Sequence, residues 1–108
     1  MTDGKPNKED AEQYVRRNLE AIVLSMLLSE PMCGKDLIGI IHTRTGVLLS
    51  SGTVYPLLRT LKDRKLLKCE VGIKKKVFEA ADETKIRQIL RERSQVSETL
   101  GQLIGEWL

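Results

Sequence analysis

The chain has 108 residues, 41% of them hydrophobic and 31% charged, with a formal net charge of +3. That length fits one domain, which would bury roughly 60–65% of its unfolded surface, and the apolar content excludes a disordered chain. No apolar run approaches the roughly 18 residues of a membrane span. Two distant cysteines, Cys33 and Cys69, and a single histidine, His42, lack the paired spacing of a zinc site and fit the reduced thiols of a cytoplasmic protein. Neither metal nor cofactor is expected.

Residues 1–9 are polar and read as a flexible arm, without the apolar stretch of a signal peptide. Asp10 is the expected N-cap of a first helix over residues 10–29. Val15, Leu19, Ile22, Val23, Met26 and Leu27 line one of its faces. From residue 21 to 28 only Ser25 is polar. A helix apolar on every side is buried on every side, so one side should meet the chain's own core and the other a second copy, through Leu19, Val23 and Leu27. Pro31 disfavours helix at Glu30, and Gly34 marks the turn. The second helix is expected over residues 35–45, with Gly46 at its C′ position. Residues 47–49 read as a short extended piece, a minimal first strand.

The third helix is expected over residues 51–65. Ser50, Ser51 and Thr53 supply hydroxyls of the helix-capping type at its start. Val54, Leu57, Leu58 and Leu61 recur at helical spacing on one face, and Tyr55, Arg59 and Lys62 lie roughly opposite. Pro56 is placed near the first turn, where its missing N–H costs least. Residues 66–71 and 75–80 read as the strands of a hairpin joined by Gly72-Ile73-Lys74. A helix fronted by one aromatic and two cations, followed by a basic hairpin, is the layout of a winged helix-turn-helix. Residues 59–76 hold eight cations and two acids. A local net charge of +6 inside a total of +3 suits a polyanion. For Lys74, Lys75 and Lys76 alone, a solvated lysine-rich surface is an equal reading.

The last helix should begin after Asp82 and continue to Trp107. Ile86, Ile89, Leu90, Val96, Leu100, Leu103, Ile104 and Trp107 recur at three and four residues, and Arg93 interrupts an a position of the heptads. Such a helix spans about 39 Å at 1.5 Å per residue, longer than a small domain needs. Its far half, with Val96, Leu100, Leu103, Ile104 and Trp107, is expected to pack on a second copy; a helix folded back on the first helix is the other arrangement. The expected fold class is α+β, mostly α: a winged helix-turn-helix over residues 10–81 and a long C-terminal dimerisation helix over residues 82–108.

Two segments carry a family resemblance. Residues 22–34, IVLSMLLSEPMCG, and residues 49–61, LSSGTVYPLLRTL, resemble the first helix with its turn, and the recognition helix, of PadR-type transcriptional regulators. The resemblance covers residues 19–82. Lys35 stands where an aromatic is usual, Lys65 where a glycine usually ends the recognition helix, and residues 77–81 replace a tyrosine-tyrosine and leucine-threonine stretch. The single last helix is similar to the smaller PadR subgroup, whose members dimerise through the first and last helices. The resemblance implies a homodimeric repressor of a promoter, often released by a small-molecule effector, whose identity does not carry over.

The expected partner is double-stranded DNA, held by Ser50, Ser51, Thr53, Tyr55, Arg59, Lys62, Lys74, Lys75 and Lys76. Catalysis is not expected, because Ser50, Ser51 and Cys33 have no evident base and no glycine-rich phosphate loop is present. The alternative is a winged-helix adaptor that uses the same face to bind protein. Salt separates the two, since counterion release makes DNA binding steeply salt-dependent.

Overall fold

A computed structural model describes residues 8–93 of the chain. In chain order these form α1 (Lys8–Arg17), α2 (Leu19–Ser29), β1 (Met32–Cys33), α3 (Gly34–Thr45), α4 (Ser51–Asp63), β2 (Leu67–Val71), β3 (Lys76–Ala80) and α5 (Glu83–Glu92). This is the mostly helical winged helix-turn-helix order expected. The helix expected over residues 10–29 is divided at Asn18, and Asp10 lies inside α1 rather than at its cap. Asn18 leaves helical geometry at φ −115° and ψ 19°. Its side-chain Nδ2 and its backbone N–H both donate to the Tyr14 carbonyl, at 2.9 and 3.1 Å. An asparagine side chain that competes for a helix carbonyl is a recognised source of such breaks.

Leu19 and residues 21–27 of α2 are all buried, as an all-round apolar helix requires. Their cover, however, comes from the same chain: α1, β3 and α5 all pack on α2. Leu19, Val23 and Leu27, expected at a dimer interface, belong to this chain's own core together with Leu37, Leu58, Phe78 and Ile86. Their burial needs no second copy. The Ser25 hydroxyl is buried among them without a hydrogen-bond partner among the described residues.

The sheet is antiparallel, in the order β1-β3-β2. Met32 pairs with Phe78 and Cys33 with Val77 on one side of β3; Leu67 pairs with Ala80 through to Val71 with Lys76 on the other. The first strand is thus Met32–Cys33, where only a turn was expected. Residues 47–49 form no strand. They are extended in the alternating sense, with Val47 and Leu49 buried and Leu48 exposed. A two-residue strand has no periodicity of its own, and its pairing is set by the far side of the hairpin.

Asp82 caps α5 as expected, its carboxylate accepting the Lys85 N–H at 3.0 Å. Ile86 is buried, and Ile89 and Leu90 are packed against the core. The near part of the last helix is therefore folded back on α2. Arg93, at φ −112° and ψ 46°, closes α5 after Glu92. The expected continuation to Trp107, with Val96, Leu100, Leu103 and Ile104, lies outside the described residues.

Helix α4 ends at Asp63, two residues before the expected limit. Lys65 takes a left-handed φ of 64°. The Lys65 N–H reaches the Lys62 carbonyl at 2.9 Å and the Leu66 N–H reaches the Leu61 carbonyl at 3.0 Å. These are the paired bonds of a Schellman ending, made here by a lysine in a glycine's conformation. A left-handed non-glycine costs about 1–2 kcal/mol, of which glycine's greater chain entropy returns part. Lys65→Gly should therefore stabilise the domain by about 0.5–1 kcal/mol, read as a higher urea midpoint with an unchanged slope.

Candidate nucleic-acid interface

Helices α3 and α4 and their connection form the helix-turn-helix. Gly46 closes α3 at φ 76°, its N–H donating to the His42 carbonyl at 2.8 Å. The Thr45 hydroxyl donates to the Ile41 carbonyl at 2.7 Å and accepts the Val47 N–H at 3.1 Å. The chain then enters α4 through Ser50 in extended geometry. Ser50 occupies the N-cap position, but its hydroxyl caps no N–H. It meets the Thr53 hydroxyl at 3.1 Å, while the Ser50 carbonyl accepts the Thr53 and Val54 N–H groups. Ser50 and Ser51 are exposed and Thr53 is half-buried.

Pro56 lies in the second turn of α4 rather than near its first, and the helix runs through it. Proline cannot supply the N–H that the Gly52 carbonyl would otherwise receive. Both residues face solvent, where water can take that role. The Pro56 carbonyl accepts the Thr60 hydroxyl at 3.0 Å. Val54, Leu58 and Leu61 are buried, and Tyr55, Arg59 and Lys62 are exposed. At about 100° per residue, the outermost line of α4 is Gly52, Pro56, Arg59 and Asp63, with Tyr55 and Lys62 along one flank. Charge does not single out Gly52, Pro56 or Thr60 in the sequence. Their absence from the apolar stripe is the signal that could find them.

Tyr55 has two surroundings. It is 39% exposed, yet its ring lies on the first residue of α3. A Cβ placed on Gly34 would stand 2.6 Å from Tyr55 Cζ and 2.8 Å from its hydroxyl oxygen. Any side chain at position 34 would require the Tyr55 ring to move off this contact. Gly34 and Tyr55, which stand far apart in the two resembling segments, are one contact.

At the wing the Gly72 N–H donates to the Lys75 carbonyl at 2.8 Å, so Ile73 and Lys74 alone form the tip. Lys74, Lys75 and Lys76 are exposed. Two of the eight cations of residues 59–76 are held within the fold: Arg64 lies 2.7 Å from Glu20, and Lys68 lies 3.3 Å from Glu79 across the hairpin. Among the described residues, Arg59, Lys62, Lys74, Lys75 and Lys76 make no ion pair. Helix α4 packs on β2, the first strand of the wing.

Among the described residues no group of His, Cys, Asp and Glu could hold a metal ion, and no helix is long and apolar enough to cross a membrane. Cys33 and Cys69 are free thiols on the two outer strands.

No protein-family model and no curated protein matches the sequence. Solved structures do match the fold. A PadR family transcriptional regulator from Eggerthella lenta is 27% identical, over 87% of this chain and 88% of that one, with a TM-score of 0.63. A PadR family transcription regulator from Clostridium difficile is 18% identical, over 82% and 99%, with a TM-score of 0.62. Bacillus subtilis PadR in complex with operator DNA is 22% identical, over 68% of this chain and 46% of that one, with a TM-score of 0.58. The chain has the PadR-type winged-helix fold.

The Gly34–Tyr55 contact is open to a double-mutant test. Gly34→Ala should destabilise the domain by about 1–3 kcal/mol through overpacking. In a Tyr55→Ala background the same change should cost much less, giving a coupling above about 1 kcal/mol by chemical denaturation.

Proposed function

We propose that this PadR-type winged helix is a homodimeric, sequence-specific DNA-binding regulator that represses transcription. One observation carries the reading. Helix α4 is held by its apolar back and its two ends, which leaves Arg59 and Lys62 exposed and without an ion pair among the described residues, next to a hairpin that carries three exposed lysines. The structural likeness to Bacillus subtilis PadR, solved in complex with operator DNA, supports it. In the proposed mode α4 lies in the major groove. Arg59 offers two hydrogen bonds to a guanine edge, worth about 1–3 kcal/mol of discrimination. Ser50, Ser51, Thr53, Tyr55 and Lys62 border the groove. Lys74, Lys75 and Lys76 neutralise phosphate, which positions the protein without reading sequence.

Dimerisation is assigned to the C-terminal segment, through Val96, Leu100, Leu103, Ile104 and Trp107, whose spacing is that of a heptad seam. A two-fold dimer presents its recognition helices about one turn of duplex apart, roughly 34 Å, so an inverted repeat should be preferred. An adaptor that binds protein through the same face would lack the salt dependence that counterion release imposes.

Affinity against salt, on a duplex selected from a random pool and on random duplex, tests the reading. Arg59→Ala should weaken binding to the selected duplex more than to the random one. Replacing the three wing lysines should weaken both alike and flatten the salt slope by about 0.9 for each phosphate no longer neutralised. Equal weakening on both duplexes for Arg59→Ala would make it a phosphate clamp instead.

Sedimentation at micromolar concentration should give a dimer of the 12.2 kDa chain. Leu100→Asp should dissociate it, since an unpaired buried charge costs several kcal/mol. A folded wild-type monomer would refute the dimer.

A further inference from the structure

We propose that Ile73, supported by Val71, is an apolar wedge that the wing inserts into the minor groove of duplex DNA beside the site read by α4. The inference rests on the DNA-binding reading and adds a contact of a different chemical kind.

Ile73 is 101% exposed and Val71 76% exposed, the two most exposed large hydrophobic residues among those described. Burial in the core gains nothing from Ile73 and little from Val71. Val71 is a common strand residue, but the turn does not call for isoleucine at 73: no residue of 72–75 takes a positive φ, and polar turn residues fit such a connection. A polar residue at position 73 would serve the turn better and keep the tip wetted.

The register fixes where these side chains point. Val71 pairs with Lys76, and Cys69 with Phe78. Directly paired residues share a face, and faces alternate along a strand. Val71 and Lys76 are therefore on the face that carries the buried Phe78 further down the hairpin. That face is covered by the core lower down the hairpin, while Val71 and Lys76 are exposed. Val71 and Lys76 thus lie on the core-side face of the hairpin where it projects past the core, with Ile73 in the connection beyond them.

The chemistry around the tip selects its occupant. Lys74, Lys75 and Lys76 follow Ile73 directly and are all exposed. An apolar point flanked by three cations suits a surface that offers apolar faces between anionic borders. The minor groove is such a surface: sugars form its walls, apolar base faces open behind its polar floor when a step is unstacked, and phosphates line its rims. Isoleucine is among the side chains that unstack base steps from this groove, and flexible pyrimidine–purine steps yield to it most readily.

The test uses the full-length protein and a duplex selected by it from a random pool, with 2-aminopurine placed in turn at each step flanking the protected region. Wild type should brighten the probe at one flanking step on each side. Ile73→Ser should abolish that signal and weaken binding about tenfold, with an unchanged salt slope because no cation is removed. Ile73→Met, which stays apolar, should retain both signal and affinity. Because Ile73 is fully exposed, both variants should unfold at the wild-type midpoint. If Ile73→Ser binds as tightly as wild type with the same fluorescence, the wedge is refuted while the DNA reading stands. Selection of no duplex by wild type would refute the DNA reading, and the wedge with it.

Discussion

The structure depends on how α4 is seated. A thirteen-residue helix is marginal by itself in water, and its direction is set by contacts at its two ends. Near its start the Tyr55 ring rests on Gly34, where any side chain would intrude to within 2.6 Å. At its finish the Schellman bonds turn the chain straight into β2, and Arg64 reaches Glu20 on α2 at 2.7 Å. Between these points only the stripe of Val54, Leu58 and Leu61 is buried. The helix is therefore aimed by its back and its ends. Apart from the Tyr55 ring, no residue of the front is needed to hold it, so Arg59 and Lys62 can be chosen for what they meet outside the chain.

This division explains which parts of the fold are legible in the sequence. The helices are legible because their apolar residues recur at three and four, and Gly46 and Asp82 announce an end and a start by chemistry that acts locally. The hairpin is legible from its alternation and its central glycine. The break at Asn18 is not, because asparagine's competition for the Tyr14 carbonyl leaves the apolar spacing intact on both sides. Strand β1 is hidden because two residues carry no period, and its partner lies more than forty positions away. Lys65 stands out as a departure from glycine, and it adopts glycine's conformation regardless. The backbone bonds of the ending outweigh the strain of one side chain. Most candidate contact residues are legible by charge, but the roles of Tyr55 and Gly34 in holding α3 against α4 emerge only once the two helices are placed together.

Charge placement follows a similar logic. Of the cations in residues 59–76, Arg64 and Lys68 serve the fold, each across from a glutamate on another element. Such half-exposed pairs contribute little stability individually, but they remove these two residues from the outward-facing set. What is left is concentrated on the front of α4 and at the wing. Three consecutive lysines on one short hairpin repel one another, and none of them makes an ion pair among the described residues.

The last helix shows the limit of a heptad pattern. Ile86 and Arg93 fall on the same repeat as Leu100 and Trp107, which suggests one seam facing one partner. The structure separates the near part from that seam. Ile86 is buried in the chain's own core, and Arg93 sits 3.3 Å from the Glu20 carboxylate that also receives Arg64. The arginine that looks like a flaw in a dimer interface is instead a contact to α2. A heptad repeat fixes which residues share a side of a helix, but not which molecule covers that side. Here the first turns are covered from within, and the end of α5 and the end of α4 meet at one glutamate.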